Sequence, residues 1–332
     1  MKPLLEVRDL TVDFGPRRGG AVRVLDGVDL TINPGETLAL LGESGSGKSV
    51  TAKAVMGLLP KDQSRVMKGS IRFDGTDLLT LSPKQLRTVQ GSRISMVFQD
   101  ALSALNPVQT VATQIGELYR VHRGFSRKEA HEAAIEMMRA VRIPDAARRA
   151  DDYPFQFSGG MRQRIMMAMA LALDPDLLIA DEPTTALDAT VQAQILDLLA
   201  EQQEARGMAM MIITHDLGVA GQLADRALVM YAGRPAETAP IDELFDRPAH
   251  PYTVGLLGSI PDARHAGKDL PTIPGLPPDI AHRPAGCSFH PRCPFATDIC
   301  REQTPAYELV AAERRSACHH AKEVMADAVV GA

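Results

Sequence analysis

The first 286 of the 332 residues contain no cysteine. No apolar run approaches the roughly 18–20 residues that span a bilayer. The longest candidate, "IMMAMALAL" at 165–173, is half that length and reads as a buried helix. Positive charge is not in excess: the net charge is −5, so nothing in the balance favours a nucleic-acid backbone. The N-terminal "MKPLLEVRDL" has acids at positions 6 and 9 and no long apolar core, which argues against a secretory signal. These absences together predict a cytoplasmic chain that meets a membrane only through a partner. What is present is ordinary for a globular protein, with 45% hydrophobic and 23% charged residues. A length of 332 residues suits two domains.

The segment "ETLALLGESGSGKSVTAKAVMGLL" (36–59) reads as a short buried strand, a glycine-rich turn and a helix. Gly42, Gly45, Gly47, Lys48 and Ser49 fill the pattern G-x-x-x-x-G-K-S/T, with Glu43, Ser44 and Ser46 between them and Val50 after. Such a turn points several backbone N–H groups at one centre, and the helix that follows adds its positive end. Lys48 is placed to reach β- and γ-phosphates, and the Ser49 hydroxyl to bind Mg²⁺. The Rossmann spacing G-x-G-x-x-G is absent. The site expected is one for a nucleoside triphosphate.

A second strand, within "PDLLIADEPTTALD" (175–188), runs into Asp181 and Glu182. An acid at the end of such a strand holds Mg²⁺ in P-loop ATPases, which suits Asp181. Glu182 then suits a general base for the attacking water. Two acids that merely end a strand are the plainer alternative, and the phosphate loop argues against it. Between these strands, Ser158, Gly159 and Gly160 open a strongly helical stretch, a second place where a helix start could meet phosphate.

Two phosphate loops in one chain resemble the ATPases of ABC transporters, and "FSGGMRQR" from 157 is similar to their signature motif. The resemblance implies two nucleotide-binding domains packed head to tail, each signature (Ser158, Gly159, Gly160, Met161) closing over the partner's nucleotide. "VFQD" resembles the Q-loop, with Gln99 touching Mg²⁺ and facing the membrane partner. "ALD", ending at Asp188, resembles the D-loop, and His215 in "ITHD" the switch histidine at the γ-phosphate. Phe14, 28 residues before Gly42, resembles the aromatic that stacks on adenine; a core phenylalanine is the alternative. Met161 stands where many members have glutamine. The implied fold is α/β: an ABC-type, RecA-like P-loop core with an antiparallel β subdomain and a helical subdomain.

Residues 1–35 alternate as antiparallel strands do, and 107–150 are rich in helix formers. The expected domains are a nucleotide-binding domain over 1–246, its helical subdomain at about 100–172, and an extension over 247–332. "DRALVMYAGRPAETA" (225–239) reads as two strands around a turn at Gly233 and Arg234. From 247 prolines and glycines dominate, a second apolar core is not evident, and such a segment needs a staple.

All four cysteines lie there, spaced C-x5-C-x6-C-x17-C at Cys287, Cys293, Cys300 and Cys318. Disulfides are rare in reducing compartments, so clustered thiols suggest a metal. Paired zinc knuckles and ferredoxin spacing are both absent, which leaves the metal open. "HPYT", "GCSFHPRC" and the late "CH" resemble the C-terminal extension of ATPases from dipeptide, oligopeptide and nickel importers. That resemblance implies a structural 4Fe–4S cluster on the four cysteines, with zinc and free thiols as alternatives.

The resemblance as a whole implies the D-type ATP-binding subunit of a peptide importer at the cytoplasmic face of the inner membrane. Its cofactors would be ATP, Mg²⁺ and the cluster. Its partners would be a second, paralogous ATPase subunit, two transmembrane permease subunits and, indirectly, a peptide-binding protein, with no nucleic acid. The alternatives are the nickel-importing version of this subunit, a soluble ABC ATPase acting on nucleic acid or ribosomes, and a regulator without transport. A single cassette and the lack of a basic tract weigh against the soluble ATPase.

Overall fold

The computed structural model describes residues 2–15, 20–60, 62–185, 187–260 and 272–330. Its strands in chain order are β1 (Leu5–Phe14), β2 (Val22–Ile32), β3 (Thr37–Leu41), β4 (Ser64–Phe73), β5 (Thr76–Asp77), β6 (Ile94–Val97), β7 (Leu177–Asp181), β8 (Ala209–Ile213), β9 (Arg226–Tyr231), β10 (Arg234–Pro240), β11 (Glu308–Ala311) and β12 (Arg314–Ser316). The chain divides into two units. One comprises Met1–Ile32, Thr37–Leu79 and Thr214–Ala332; the other comprises Asn33–Glu36 and Thr80–Ile213.

In the first unit, β2, β1, β4 and β5 form an antiparallel sheet in that order. The inward residues of β1 show how it is built: Leu5 and Val7 are buried, then Leu10 and Val12. The three-residue step would turn the second pair outward in a regular strand. A bulge between Val7 and Leu10 absorbs it, with Asp9 at φ 48°. Gly69 on β4 makes room for that bulge, because a Cβ there would lie 2.5 Å from the Arg8 carbonyl oxygen. In the same unit β3 pairs parallel with β9, and β9 antiparallel with β10. The turn between β9 and β10 is made by Ala232 and Gly233, both at positive φ, one residue earlier than the sequence suggests.

In the second unit β6, β7 and β8 pair in parallel. Every residue of all three is buried, so they read as continuous apolar runs rather than alternating ones. The helices here start on side-chain caps. Thr110 caps Val111–Arg123, Ser126 with Glu129 forms a capping box on Arg127–Ala140, Ser158 caps Gly159–Leu171 and Asp188 caps Ala189–Arg206. Among the described residues no helix is long and apolar enough to cross a membrane.

The loop-rich region after 247 is joined to the first unit by strand pairing. Strand β12 pairs antiparallel with β10, and β11 with β12, so the extension adds strands to the sheet of the first unit. Tyr252, Phe289, Ala321 and Val324 are buried. Arg314, 2% exposed, donates to the carbonyl oxygens of Arg247 and Glu243 and to the Glu243 carboxylate. Short strands and isolated apolar residues thus pack there without any periodic signal.

Two buried titratable groups sit at this junction. Glu237 on β10 is fully buried; its Oε1 accepts from the Ala249 N–H at 2.7 Å and its Oε2 has no hydrogen-bond partner. Burial pushes its carboxyl up to about 7, against the attraction of Arg314. Burial pushes the His250 imidazole down to about 4. Between about pH 4.5 and 7 the folded chain binds more protons at Glu237 than the unfolded chain does. That contribution to stability is present at low pH and is lost as pH rises, by up to about 3 kcal/mol. His250 acts oppositely between about pH 4 and 6.5, where stability is lost as pH falls. A Glu237→Gln variant keeps the Oε1 acceptor and cannot ionise. Its melting temperature should rise relative to the parent as pH goes from 5 to 8. Parallel melting curves across that range would show that Glu237 does not titrate in the window.

Candidate functional site

Strand β3 ends in the glycine loop. Gly42 has φ 138°, and a Cβ on it would stand 2.3 Å from the Met230 carbonyl oxygen. Gly47, at φ 105°, caps the helix Lys48–Val55, and its Cβ would meet Leu25 at 2.7 Å. Both positions demand glycine by conformation and by space. Lys48 is 5% exposed, and its Nζ donates to the carbonyl oxygens of Gly42 at 2.6 Å and Glu43 at 2.9 Å. The ammonium is therefore seated on the loop it follows. The Ser46 hydroxyl is buried with no hydrogen-bond partner. A cavity of about 100 Å³ is lined by Glu43, Ser44, Gly45 and Ser46 together with Tyr231, Ala232, Pro277, Pro278 and Ile280. Ser49 and Val50 lie in the first turn of the helix.

The same unit holds His215, exposed just after β8 and before the helix Leu217–Leu223, which Asp216 caps. Thr214 N–H donates to the Leu40 carbonyl oxygen, which ties the approach to His215 to β3. Phe14 is half-buried at the end of β1, opposite Val22 and Ser64. Residues 16–19, shortly after it, lie outside the described residues.

The second unit carries the other motif residues. Asp181 closes β7 and is 5% exposed. Glu182 follows in the left-handed region, at φ 46°, a conformation that costs energy for a residue with a side chain and clusters at functional sites. Its Oε2 accepts from Gln99 Nε2 at 2.8 Å and from the Thr185 hydroxyl at 2.8 Å. Gln99, expected in a Q-loop, and the expected general base thus share one hydrogen bond. Ser158, exposed, caps the signature helix by accepting from the Met161 N–H. Gly159 is exposed beside it, and a Cβ on Gly160 would collide with Val191 at 2.6 Å. Asp188 accepts from the Val191 N–H at 3.0 Å; Ala186 lies outside the described residues.

Sequence reasoning missed three contributors. Gln163 on the signature helix donates to the Pro183 carbonyl oxygen at 2.7 Å, fastening that helix to the turn after Glu182. Arg149 lies over the Phe157 ring at 4.1 Å, beside the signature. Arg292 makes a two-pronged ion pair with Glu43, at 2.7 and 2.9 Å. Nothing local marks the first two; Arg292 stands inside the cysteine motif, which drew attention to its neighbours instead.

The four cysteines are unpaired thiols lining one largely apolar pocket with His250, Phe289, His290, Phe295, His319 and His320. Burial pushes the Cys293 thiol up to about 11 and Cys318 to about 12, with added repulsion from the other cysteines. Cys287 is raised for the same reasons. Among the described residues, no three His, Cys, Asp or Glu side chains converge closely enough, as they stand, to hold a metal ion.

Comparison with known proteins agrees with this geometry. The ABC transporter family matches residues 25–185, and the family described as the oligopeptide/dipeptide transporter C-terminal region matches 236–300. A peptide import ATP-binding protein of Brucella abortus (strain 2308) is 52% identical over 316 residues, 95% of this chain and 94% of its own. A peptide ABC transporter ATP-binding protein of Sinorhizobium fredii is 49% identical over 323 residues, 97% of this chain and 96% of its own. Among solved structures, the dimeric ATP-binding cassette MJ0796 bound to ADP and Pi superposes with a TM-score of 0.64 at 27% identity, over 71% of this chain and 98% of that one. cbiO1 from Clostridium perfringens, part of the transporter complex cbiONQ, gives a TM-score of 0.62 at 27% identity, over 74% and 91%. The core is therefore the RecA-like and helical fold of ABC ATPases, and the chain belongs to the ATP-binding subunits of ABC transporters, closely related to bacterial peptide import ATPases.

Proposed function

We propose that this chain hydrolyses ATP to drive uptake of short peptides, working with a second ATPase subunit and two permease subunits at the cytoplasmic face of the membrane. The observation that carries the reading is the order of parts in one chain: a glycine loop with a buried lysine, a helix opened by a capped Ser-Gly-Gly, an acidic strand end, then the oligopeptide-transporter extension. A peptide-binding protein would deliver cargo from outside. The working division is at about residue 246, the ATPase before it and the extension after.

The residues divide the chemistry. The loop's N–H groups from Gly45 to Ser49 would bind phosphate, and Lys48 would leave its two carbonyl oxygens for the β- and γ-phosphates. Phe14 would stack on the adenine. When bound, Mg²⁺ neutralises charge on those phosphates; Ser49, Gln99 and Asp181 are the residues that would hold it. Glu182 would accept the proton of the attacking water, and His215 would contact the γ-phosphate. Because Gln99 and Thr185 donate to the same Glu182 oxygen, withdrawal of Gln99 would leave that oxygen with one donor fewer to compete with water. A permease that moves the Q-loop would thereby gate the base. Ser158 to Met161 would close on the partner's nucleotide, with Asp188 beside them.

The four cysteines would hold a 4Fe–4S cluster, which supplies a structural cross-link when bound. Four thiols line one pocket and none is tied up in a disulfide; they would have to draw together to hold the group, because as they stand no three side chains of the described residues converge closely enough for a metal ion. Zinc is the alternative occupant.

Lys48→Ala should abolish ATP binding. Glu182→Gln should bind ATP as the parent does while steady-state hydrolysis falls at least about 100-fold. Undiminished turnover in Glu182→Gln, free of contaminating ATPase, removes that residue from the general-base role. Protein purified without oxygen should carry about four irons and four acid-labile sulfides per chain. One zinc without iron would keep the cross-link and overturn the cluster; no metal at all would leave free thiols.

A further inference from the structure

Glutamate is an odd residue in a loop that must receive a polyanion. Glu43 is the first residue after Gly42, and its side chain is only partly exposed. An uncompensated carboxylate there would repel phosphate, and in a partly buried setting solvent would screen it poorly. Its charge is met by a residue 249 positions away in the chain. Arg292 Nη1 donates to Glu43 Oε2 at 2.7 Å and Nη2 to Oε1 at 2.9 Å. The Arg292 side chain is 6% exposed. Its Nε donates to the Pro274 carbonyl oxygen at 2.9 Å, and its Nη1 also reaches the Tyr231 hydroxyl at 3.3 Å. A second residue of the extension holds the same loop position: the Glu43 N–H donates to the Tyr252 hydroxyl at 2.7 Å. The carbonyl of Glu43, in turn, accepts from Lys48 Nζ at 2.9 Å. One residue of the phosphate loop is thus gripped at its side chain and its N–H by the extension, and grips the loop lysine with its carbonyl.

We propose that Arg292 is a positioning residue for nucleotide binding: through Glu43 it neutralises the loop's own carboxylate and fixes the loop from which Lys48 would reach the phosphates. The guanidinium suits this task because its planar fork matches both carboxylate oxygens, which a lysine cannot do. Arg292 directly precedes Cys293 and ends the turn His290–Arg292, whose backbone is bonded to Cys287 and Phe289. Whatever fastens the thiol pocket therefore fastens Arg292, and the extension acts on the ATP site of its own chain. This inference rests on the reading of the glycine loop as the nucleotide site.

The test is titration of the purified full-length chain with a fluorescent ATP analogue, reading dissociation constant and binding stoichiometry separately. Arg292→Met should weaken the affinity roughly tenfold while the folded fraction still binds one nucleotide per chain. Arg292→Lys should recover part of the loss. Glu43→Gln combined with Arg292→Met should bind no more weakly than Arg292→Met alone, because the two residues act as one unit. A merely structural role for Arg292 would lower the melting temperature and the active fraction and leave the dissociation constant unchanged; that result overturns the proposal. So would equal and additive losses from the two substitutions. Lys48→Ala is the control for the underlying reading: if it binds the analogue normally, the glycine loop is not the site, and the failure lies there rather than with Arg292.

Discussion

A lysine ammonium buried to 5% exposure must be paired or lost, and here Lys48 is paired with two carbonyl oxygens of the loop that precedes it. Much of the first unit serves that arrangement. The loop can fold back on the lysine only because Gly42 and Gly47 lack side chains where Met230 and Leu25 press in. The strand before it, β3, is wholly buried and held against β9, so the loop starts from a fixed point. The extension then braces the loop at Glu43. A phosphate group arriving there would meet backbone donors of a loop that is already braced.

The second unit follows the same logic with a carboxylate in place of the cation. Glu182 sits at φ 46° directly after an all-buried strand, and two donors hold one of its oxygens. The turn after it is pinned to the signature helix through Gln163 and Pro183. A helix start that would meet one nucleotide and a base that would act on another are thereby mechanically joined within one unit, and Gln99 adds the link that would face the permease.

Much of this was legible in the residues because it depends on local chemistry. A glycine loop between a buried run and a helix, an acidic pair ending an apolar run, and Ser-Gly-Gly opening a helix each carry their spacing within a dozen positions. The less legible parts rest on pairings distant in sequence. Arg292 and Glu43 are 249 positions apart, and neither shows its partner. The addition of β12 to β10 involves three residues, "RRS", too short and too polar to read as a strand. The bulge at Asp9 was present as a broken alternation in "LEVRDLTV", but only the sheet shows how it is absorbed. The extension read as loop for the same reason: it is held by a few buried side chains and by Arg314, not by a periodic face.

The central claim is that ATP hydrolysis here serves peptide import. The most direct measurement is ATP turnover in proteoliposomes that contain this subunit, its paired ATPase and the two permease subunits, with and without peptide-loaded binding protein. The account predicts that hydrolysis rises when the loaded binding protein is added and that labelled peptide accumulates inside in step with it. Hydrolysis indifferent to loaded binding protein, with no peptide accumulation, would contradict the claim.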